Sequence, residues 1–119
     1  MLLERIVTNL LENAVEYTPP GGRVAVRATA GARGEGASLA IANTTDKDLD
    51  EEMLPHFFEP FWRRSPSHEG GAGHVGLGLP LVKALCEALG GRISAGLADH
   101  ELTLRVDLPD AGVGGGGGV

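Results

Sequence analysis

The chain has 119 residues, a net charge of −6 and 42% apolar residues. That is room for one hydrophobic core but not two, in a globular rather than a disordered protein. The acidic balance argues against the basic footprint of a nucleic-acid-binding domain. A single cysteine, Cys86, excludes internal disulfides, disfavours a cysteine-ligated zinc and points to a reducing compartment. No apolar run reaches the ~18 residues of a membrane span, and no signal peptide is visible. The chain opens inside a helical pattern, as a segment of a longer protein would.

Residues 2–17 read as an amphipathic helix, with Leu3, Ile6, Val7, Leu10, Leu11 and Ala14 at three- and four-residue steps. Asn9 and Asn13 fall beside this stripe, while Arg5, Glu12 and Glu16 fall on the far side. Pro19-Pro20-Gly21-Gly22 ends the helix. Residues 23–29 and 37–43 suit strands. In the first, Val24, Val26 and Ala28 alternate with Arg23, Arg27 and Thr29, so one face is wet; Ala37 to Ala42 is more continuously apolar and more central. Gly31–Gly36 is a hairpin-like connection. Residues 44–75 are long and aperiodic, with Pro55, Pro60 and Pro66 as breaks and short helical turns near 50–59; so long a span is functional or mobile.

Gly78 to Leu89 reads as a second helix, with Pro80 in its first turn, Gly90 just past its end and Leu81, Val82, Leu85, Cys86 and Leu89 toward the core. Strands follow at 92–95 and 101–108. The tail from Gly112, with five glycines at 114–118, has nothing to pack and is expected to be disordered. Helix, two strands, long loop, helix, two strands gives a two-layer α/β sandwich with helices on one face.

Three groups of residues carry chemistry. Asn9 and Asn13 put two carboxamides on one helix face, although asparagine is a poor interior helix residue. Their oxygens are hard neutral ligands, suited to Mg²⁺ or to polar parts of a nucleotide. Gly76-Leu77-Gly78-Leu79 opens the second helix, where free amides attract anions and glycine permits close approach. Phe58, Phe61 and Trp62 make a local hydrophobic plug in a chain with 4% aromatics, and Arg63 and Arg64 follow within reach of a phosphate. Taken singly, the last two groups are equally ordinary loop punctuation and an amphipathic loop.

In this order and spacing the groups resemble the ATP-binding catalytic domain of bacterial two-component sensor histidine kinases, in the superfamily shared with gyrase and the Hsp-type chaperones. Asn9 to Pro19 resembles the N box, Phe58-Glu59-Pro60-Phe61 the F box, and Gly76 to Leu79 the second glycine box; the resemblance covers about residues 2–108. It implies the Bergerat α/β sandwich, with a mixed, mostly antiparallel sheet, over residues 1–109, a lid at about 62–75 and a Gly-rich tail at 110–119. It implies ATP and Mg²⁺ as ligands, Asn13 as the catalytic Mg²⁺ ligand, and a pocket lined by Asn9, Glu16, Tyr17, Asn43, Thr45, Arg63, Arg64, His74, Gly76, Leu77, Gly78 and Leu79.

The chain departs from the family pattern at three places. The first glycine box, Asp-x-Gly-x-Gly, reads here as Asn43 with Thr44-Thr45-Asp46-Lys47, so a neutral amide takes the place of the adenine-binding carboxylate. Asp46 lies past the strand end, and Asn43 is preferred. Glu16 stands where the N box carries Lys or Arg, and a carboxylate near a triphosphate repels it unless a cation intervenes or Glu16 faces solvent. His74-Val75 replaces Gly-x. The phosphorylatable histidine is missing: His100-Glu101-Leu102 lacks the Pro of an H box, and Leu102, Leu104 and Val106 alternate as a strand; His56 and His68 lack metal-ligand spacing. Cys86 reads as core, and Asp46–Glu52 as a solvated loop.

The resemblance implies transfer of the γ-phosphoryl group to a histidine on a separate dimerisation domain, with a response regulator downstream. It implies a cytoplasmic, monomeric fragment that binds neither nucleic acid nor membrane. The alternatives are a degenerate nucleotide-binding module with a docking or regulatory role, and an anti-sigma-type serine kinase.

Overall fold

Leu2–Tyr17 forms the first helix, α1, in a computed structural model that describes residues 2–31, 36–45, 49–60 and 78–109. Its buried ridge is Ile6, Leu10 and Ala14, one residue per turn. Helix α1 stops where the sequence turns to proline. The Thr18 hydroxyl donates back to the Ala14 carbonyl, and the Gly22 N–H closes a turn on the Pro19 carbonyl at 2.9 Å. Gly21 holds φ at +84°, the left-handed residue that a type II turn with Pro20 before it requires.

Four strands follow: β1 (Val24–Ala30), β2 (Ala37–Thr44), β3 (Arg92–Ala98) and β4 (Glu101–Leu108). They form one sheet in the order β1-β2-β4-β3, with every described pairing antiparallel. The sheet, expected to be mostly antiparallel, is wholly so among the described residues. A 3-10 helix (Glu51–Phe58) and α2 (Gly78–Ala88) separate β2 from β3. Helix α1 packs on β2 and on α2, and α2 packs on β3 and the 3-10 helix, giving two layers.

The core lies between the layers. Ile6, Leu10 and Ala14 of α1 meet Val82 and Cys86 of α2 over Ile41 of β2 and Leu104 and Val106 of β4. Register explains the composition: Ile41 pairs with Leu104 and Leu39 with Val106, so alternate residues of the two central strands share the covered face. Phe58 packs against the edge of this cluster, as expected of an aromatic plug. Burial pushes the Cys86 thiol up from its ordinary range, and the neighbouring Glu87 carboxylate adds to the effect.

Several expectations change. The valines of β1 are not half-buried: all seven residues are exposed, Val26 at 54%. Val24 and Val26 pair with Asn43 and Ile41, so they lie on the helix side of the sheet, but α1 sits over β2 and leaves that edge bare. Leu3 and Leu11 of α1 and Leu81 of α2 are exposed for the same reason: the buried ridge of each helix is narrower than its apolar stripe. Strand β3 runs three residues past its expected end, through Gly96 and Leu97 to Ala98. Pro55 lies inside the 3-10 helix rather than interrupting it. Asp50 caps that helix through Oδ1, which accepts from the Glu52 N–H at 2.9 Å. Strand β4 begins at Glu101, as expected, and His100 follows Asp99 in a two-residue turn with φ of +53° and +62°, the signs of a type I′ hairpin. The lid at 62–75 and the tail at 110–119 lie outside the described residues.

Leu10→Ala removes the middle of the α1 ridge and should cost about 2–5 kcal/mol, whereas Val26→Thr on the bare edge should stay within about 0.5 kcal/mol; urea unfolding followed by circular dichroism reads both. Cys86 should resist an aromatic disulfide reagent in the folded protein and react once the chain is unfolded in urea. Because the folded thiol holds its proton to higher pH than the unfolded one, stability should decline as pH rises through the ordinary thiol range toward the raised value.

Candidate functional site

One end of the sheet gathers the polar residues that the core excludes. Helix α1 finishes there, because the Pro19–Gly22 turn brings its last residues against the end of β2. A Cβ at Gly22 would lie 2.7 Å from Thr18 Cγ2 and 2.9 Å from Thr44 Cβ, so the close approach requires glycine. The turn is then stitched to β2: the Thr44 N–H donates to the Arg23 carbonyl at 3.0 Å, and the Arg23 N–H donates to Thr44 Oγ1 at 3.1 Å. The β3–β4 turn lies at the same end, where the Thr45 N–H donates to the His100 carbonyl at 2.8 Å. Helix α2 runs to the opposite end: a Cβ at Gly91, just beyond it, would sit 2.3 Å from the Asp107 carbonyl oxygen. Its first turn lies about 16 Å away from there, at 1.5 Å per residue.

Asn9, Asn13 and Tyr17 follow one another at four-residue steps along α1, all half-buried, with Glu16 half-buried beside them. They flank the Ile6–Leu10–Ala14 ridge, as the spacing predicts. Asn9 Nδ2 is buried and has no hydrogen-bond partner. An amide donor held away from water without a partner costs about 1–3 kcal/mol, so a ligand or a water is needed there.

Asn43 and Thr45 mark the end of β2. Asn43 is only 2% exposed, on the same sheet face as Ile41, and its Nδ2 donates to the Thr44 carbonyl at 2.9 Å. A neutral amide suits this position, since an ionised group there would lose its hydration. Thr45 is 6% exposed, and its buried Oγ1 has no partner. Gly78 opens α2 with no described atom within 4 Å of where a Cβ would stand, while the Leu79 side chain packs against the core. Leu79 thus anchors the first turn of α2, whose amides lack intrahelical partners. Arg63, Arg64, His74, Gly76 and Leu77 lie outside the described residues.

Two residues at this end were not singled out by sequence. Arg23 brings a cation to the start of β1, and the His100 carbonyl holds Thr45 in place. The signal for the second was present: Asp99-His100 separates two alternating runs by two residues, a hairpin spacing. His56 does pair locally, its Nδ1 lying 3.0 Å from Glu59 Oε1 at the surface. His68 lies outside the described residues. Among those described, no group of His, Cys, Asp and Glu has the arrangement of a metal site.

Residues 1–114 match the family described as histidine kinase-, DNA gyrase B-, and HSP90-like ATPase. The chain belongs to this family. It is 38% identical over 109 residues to sensor histidine kinase TrcS of Mycobacterium tuberculosis, covering 90% of this chain and 21% of TrcS. The solved mycobacterial sensor histidine kinase MprB superimposes with a TM-score of 0.76 at 32% identity, over 91% of this chain and 72% of that one. Full-length ShkA, solved in complex with AMPPNP, superimposes with a TM-score of 0.71 at 25% identity, over 91% of this chain and 21% of that one. The fold is accordingly that of a histidine kinase catalytic domain, the two-layer Bergerat sandwich, and the chain spans about a fifth of the length of TrcS.

Asn43→Asp should destabilise the nucleotide-free domain by about 1–3 kcal/mol at neutral pH, because one carboxylate oxygen would face the Thr44 carbonyl where an N–H now donates. Burial raises the pKa of such a carboxyl, so the deficit should shrink as pH falls and the group takes up a proton. Urea unfolding at pH 8 and pH 5 tests the sign.

Proposed function

We propose that this domain binds Mg·ATP in the pocket between α1, the end of β2 and the start of α2, and donates the γ-phosphoryl group to a histidine outside this chain. The observation that carries the reading is the pair of orphaned buried polar atoms, Asn9 Nδ2 and Thr45 Oγ1, in a family of ATPases. Each is a hydrogen-bonding group that the protein itself leaves unsatisfied, and the residues around them are of the types that a nucleotide needs. The AMPPNP bound by the related ShkA supports the same ligand class.

The roles follow from chemistry. Mg²⁺ supplies charge neutralisation between the phosphates, and Asn13 is the residue that would hold it, through a neutral oxygen that leaves the metal's charge for the phosphates. Asn9 lines the same face one turn earlier. Tyr17 closes the pocket beside the nucleotide. Asn43 and Thr45 receive the base. The amides of Gly76, Leu77, Gly78 and Leu79 bind phosphate oxygens, joined by Arg63, Arg64 and His74 of the proposed lid. Glu16 sets an upper limit on affinity, since its carboxylate repels the triphosphate.

None of these groups makes or breaks a covalent bond. They position the phosphates and neutralise their charge, which is what phosphoryl transfer asks of a protein. The acceptor histidine and its base belong to a separate dimerisation domain of the parent kinase, and a response regulator receives the phosphoryl group next. The domain works on the cytoplasmic side, where ATP is, and by itself is a monomer. No described helix is long and apolar enough to cross a membrane.

Calorimetric titration of the isolated domain with AMPPNP should give binding that requires Mg²⁺, and Asn13→Ala should weaken it at least about tenfold, or about 1.4 kcal/mol. Absence of binding at millimolar ligand, with or without Mg²⁺, overturns the kinase reading in favour of a docking module. Glu16→Lys should tighten binding several-fold, with a gain that shrinks as salt is added.

A further inference from the structure

Thr45 is a buried hydroxyl with nothing to bind. It is 6% exposed, its Oγ1 has no partner, and the backbone holds it firmly: its N–H is bonded to the His100 carbonyl while the Thr44 N–H is bonded to Arg23 on the other side. Those N–H groups point to opposite neighbours, so the extended alternation of β2 continues through Thr45. Asn43 and Thr45 therefore share one face of the strand, the face that carries Ile41 into the core.

The Asn43 amide has a defined orientation. Its Nδ2 donates to the Thr44 carbonyl at 2.9 Å, and turning the amide over would set two oxygens against each other. The carboxamide oxygen is thus the acceptor at the other end of the amide. Beside it, Thr45 offers a hydroxyl free to donate. An acceptor next to a donor complements the edge of a 6-aminopurine, whose amino group donates and whose N1 accepts. A 6-oxopurine carries the reverse pattern, an accepting O6 and a donating N1–H, and would meet the fixed Asn43 oxygen with an oxygen of its own.

We propose that Thr45 is a base-reading residue: its hydroxyl donates to purine N1 while Asn43 accepts from the 6-amino group, so that two neutral side chains select adenine in place of one carboxylate. This rests on the nucleotide reading above and adds to it a second recognition group and a base preference.

Three ligands test it on the unaltered chain by calorimetry: AMPPNP, its guanine counterpart, and 1-deaza-ATP, in which a C–H replaces N1. Wild type should prefer AMPPNP to 1-deaza-ATP by about tenfold, the loss of one hydrogen bond that leaves a buried partner unsatisfied, and to the guanine analogue by at least as much. Thr45→Val should bind AMPPNP and 1-deaza-ATP alike, and Thr45→Ser should restore the preference. Circular dichroism confirms that each variant folds, and the comparison of ligands within one variant cancels any general loss of affinity. Equal binding of AMPPNP and 1-deaza-ATP by wild type, or an unchanged ratio in Thr45→Val, overturns the role of Thr45 and leaves the nucleotide site standing. Failure of all three ligands to bind overturns both.

Discussion

The Ile6–Leu10–Ala14 ridge of α1, wedged between α2 and the strip formed by Ile41, Leu104 and Val106, is the constraint on which the rest depends. Each of these side chains is at most 2% exposed. A helix held by so narrow a ridge has its rotation about its own axis fixed, since any turn would lift Leu10 out of the interior. That rotation decides where the asparagines go. Asn9 and Asn13 can neither enter the apolar interior, where a carboxamide would lack partners, nor face open solvent. They come to rest at its margin, half in contact with the protein and half available to a ligand.

The second fixed relation is axial. The Pro19–Gly22 turn and its bonds to Thr44 set how far α1 extends along the sheet, so that Tyr17 and Thr18 end where Asn43 and Thr45 end. The polar site is a consequence of this shared terminus. Backbone groups at the ends of a helix and a strand lose their regular partners, and the side chains there are free of the packing that makes mid-element positions apolar. Among the described residues this edge is built by the end of α1, the end of β2 and the β3–β4 turn rather than by one loop. Site residues on such elements hold their positions more closely than residues on a free loop.

Family membership also gives meaning to the departures from pattern. The resemblance to the first glycine box sets Asn43 in place of a carboxylate, and Asn43 is almost fully buried with an internal hydrogen bond to the Thr44 carbonyl. The N-box resemblance likewise sets Glu16 in place of a cation, and Glu16 is half-buried one turn beyond Asn13. Arg23, at the same end of the sheet, supplies a positive charge from another element.

Much of this was legible in the sequence because it depends on local periodicity. The 2–17 helix, the central position of β2, the cap glycine at 90 and the sandwich class all follow from where apolar residues recur, and Asn9 and Asn13 stand out because they break helix propensity. The sequence could not say that β1 would be bare, that Leu3, Leu11 and Leu81 would be exposed, or that β3 would run on through Gly96, because exposure is set by which neighbour lies across from a residue, and no neighbour is encoded in spacing alone. For the same reason the sequence could name Asn43 and Thr45 as candidates without knowing that one amide is turned by Thr44 and that one hydroxyl is left unbonded. Residue types and their intervals determined the family, the elements and the chemistry available. Only tertiary packing, by fixing the rotation of α1 and bringing its end to the end of β2, decided which of those groups face one another.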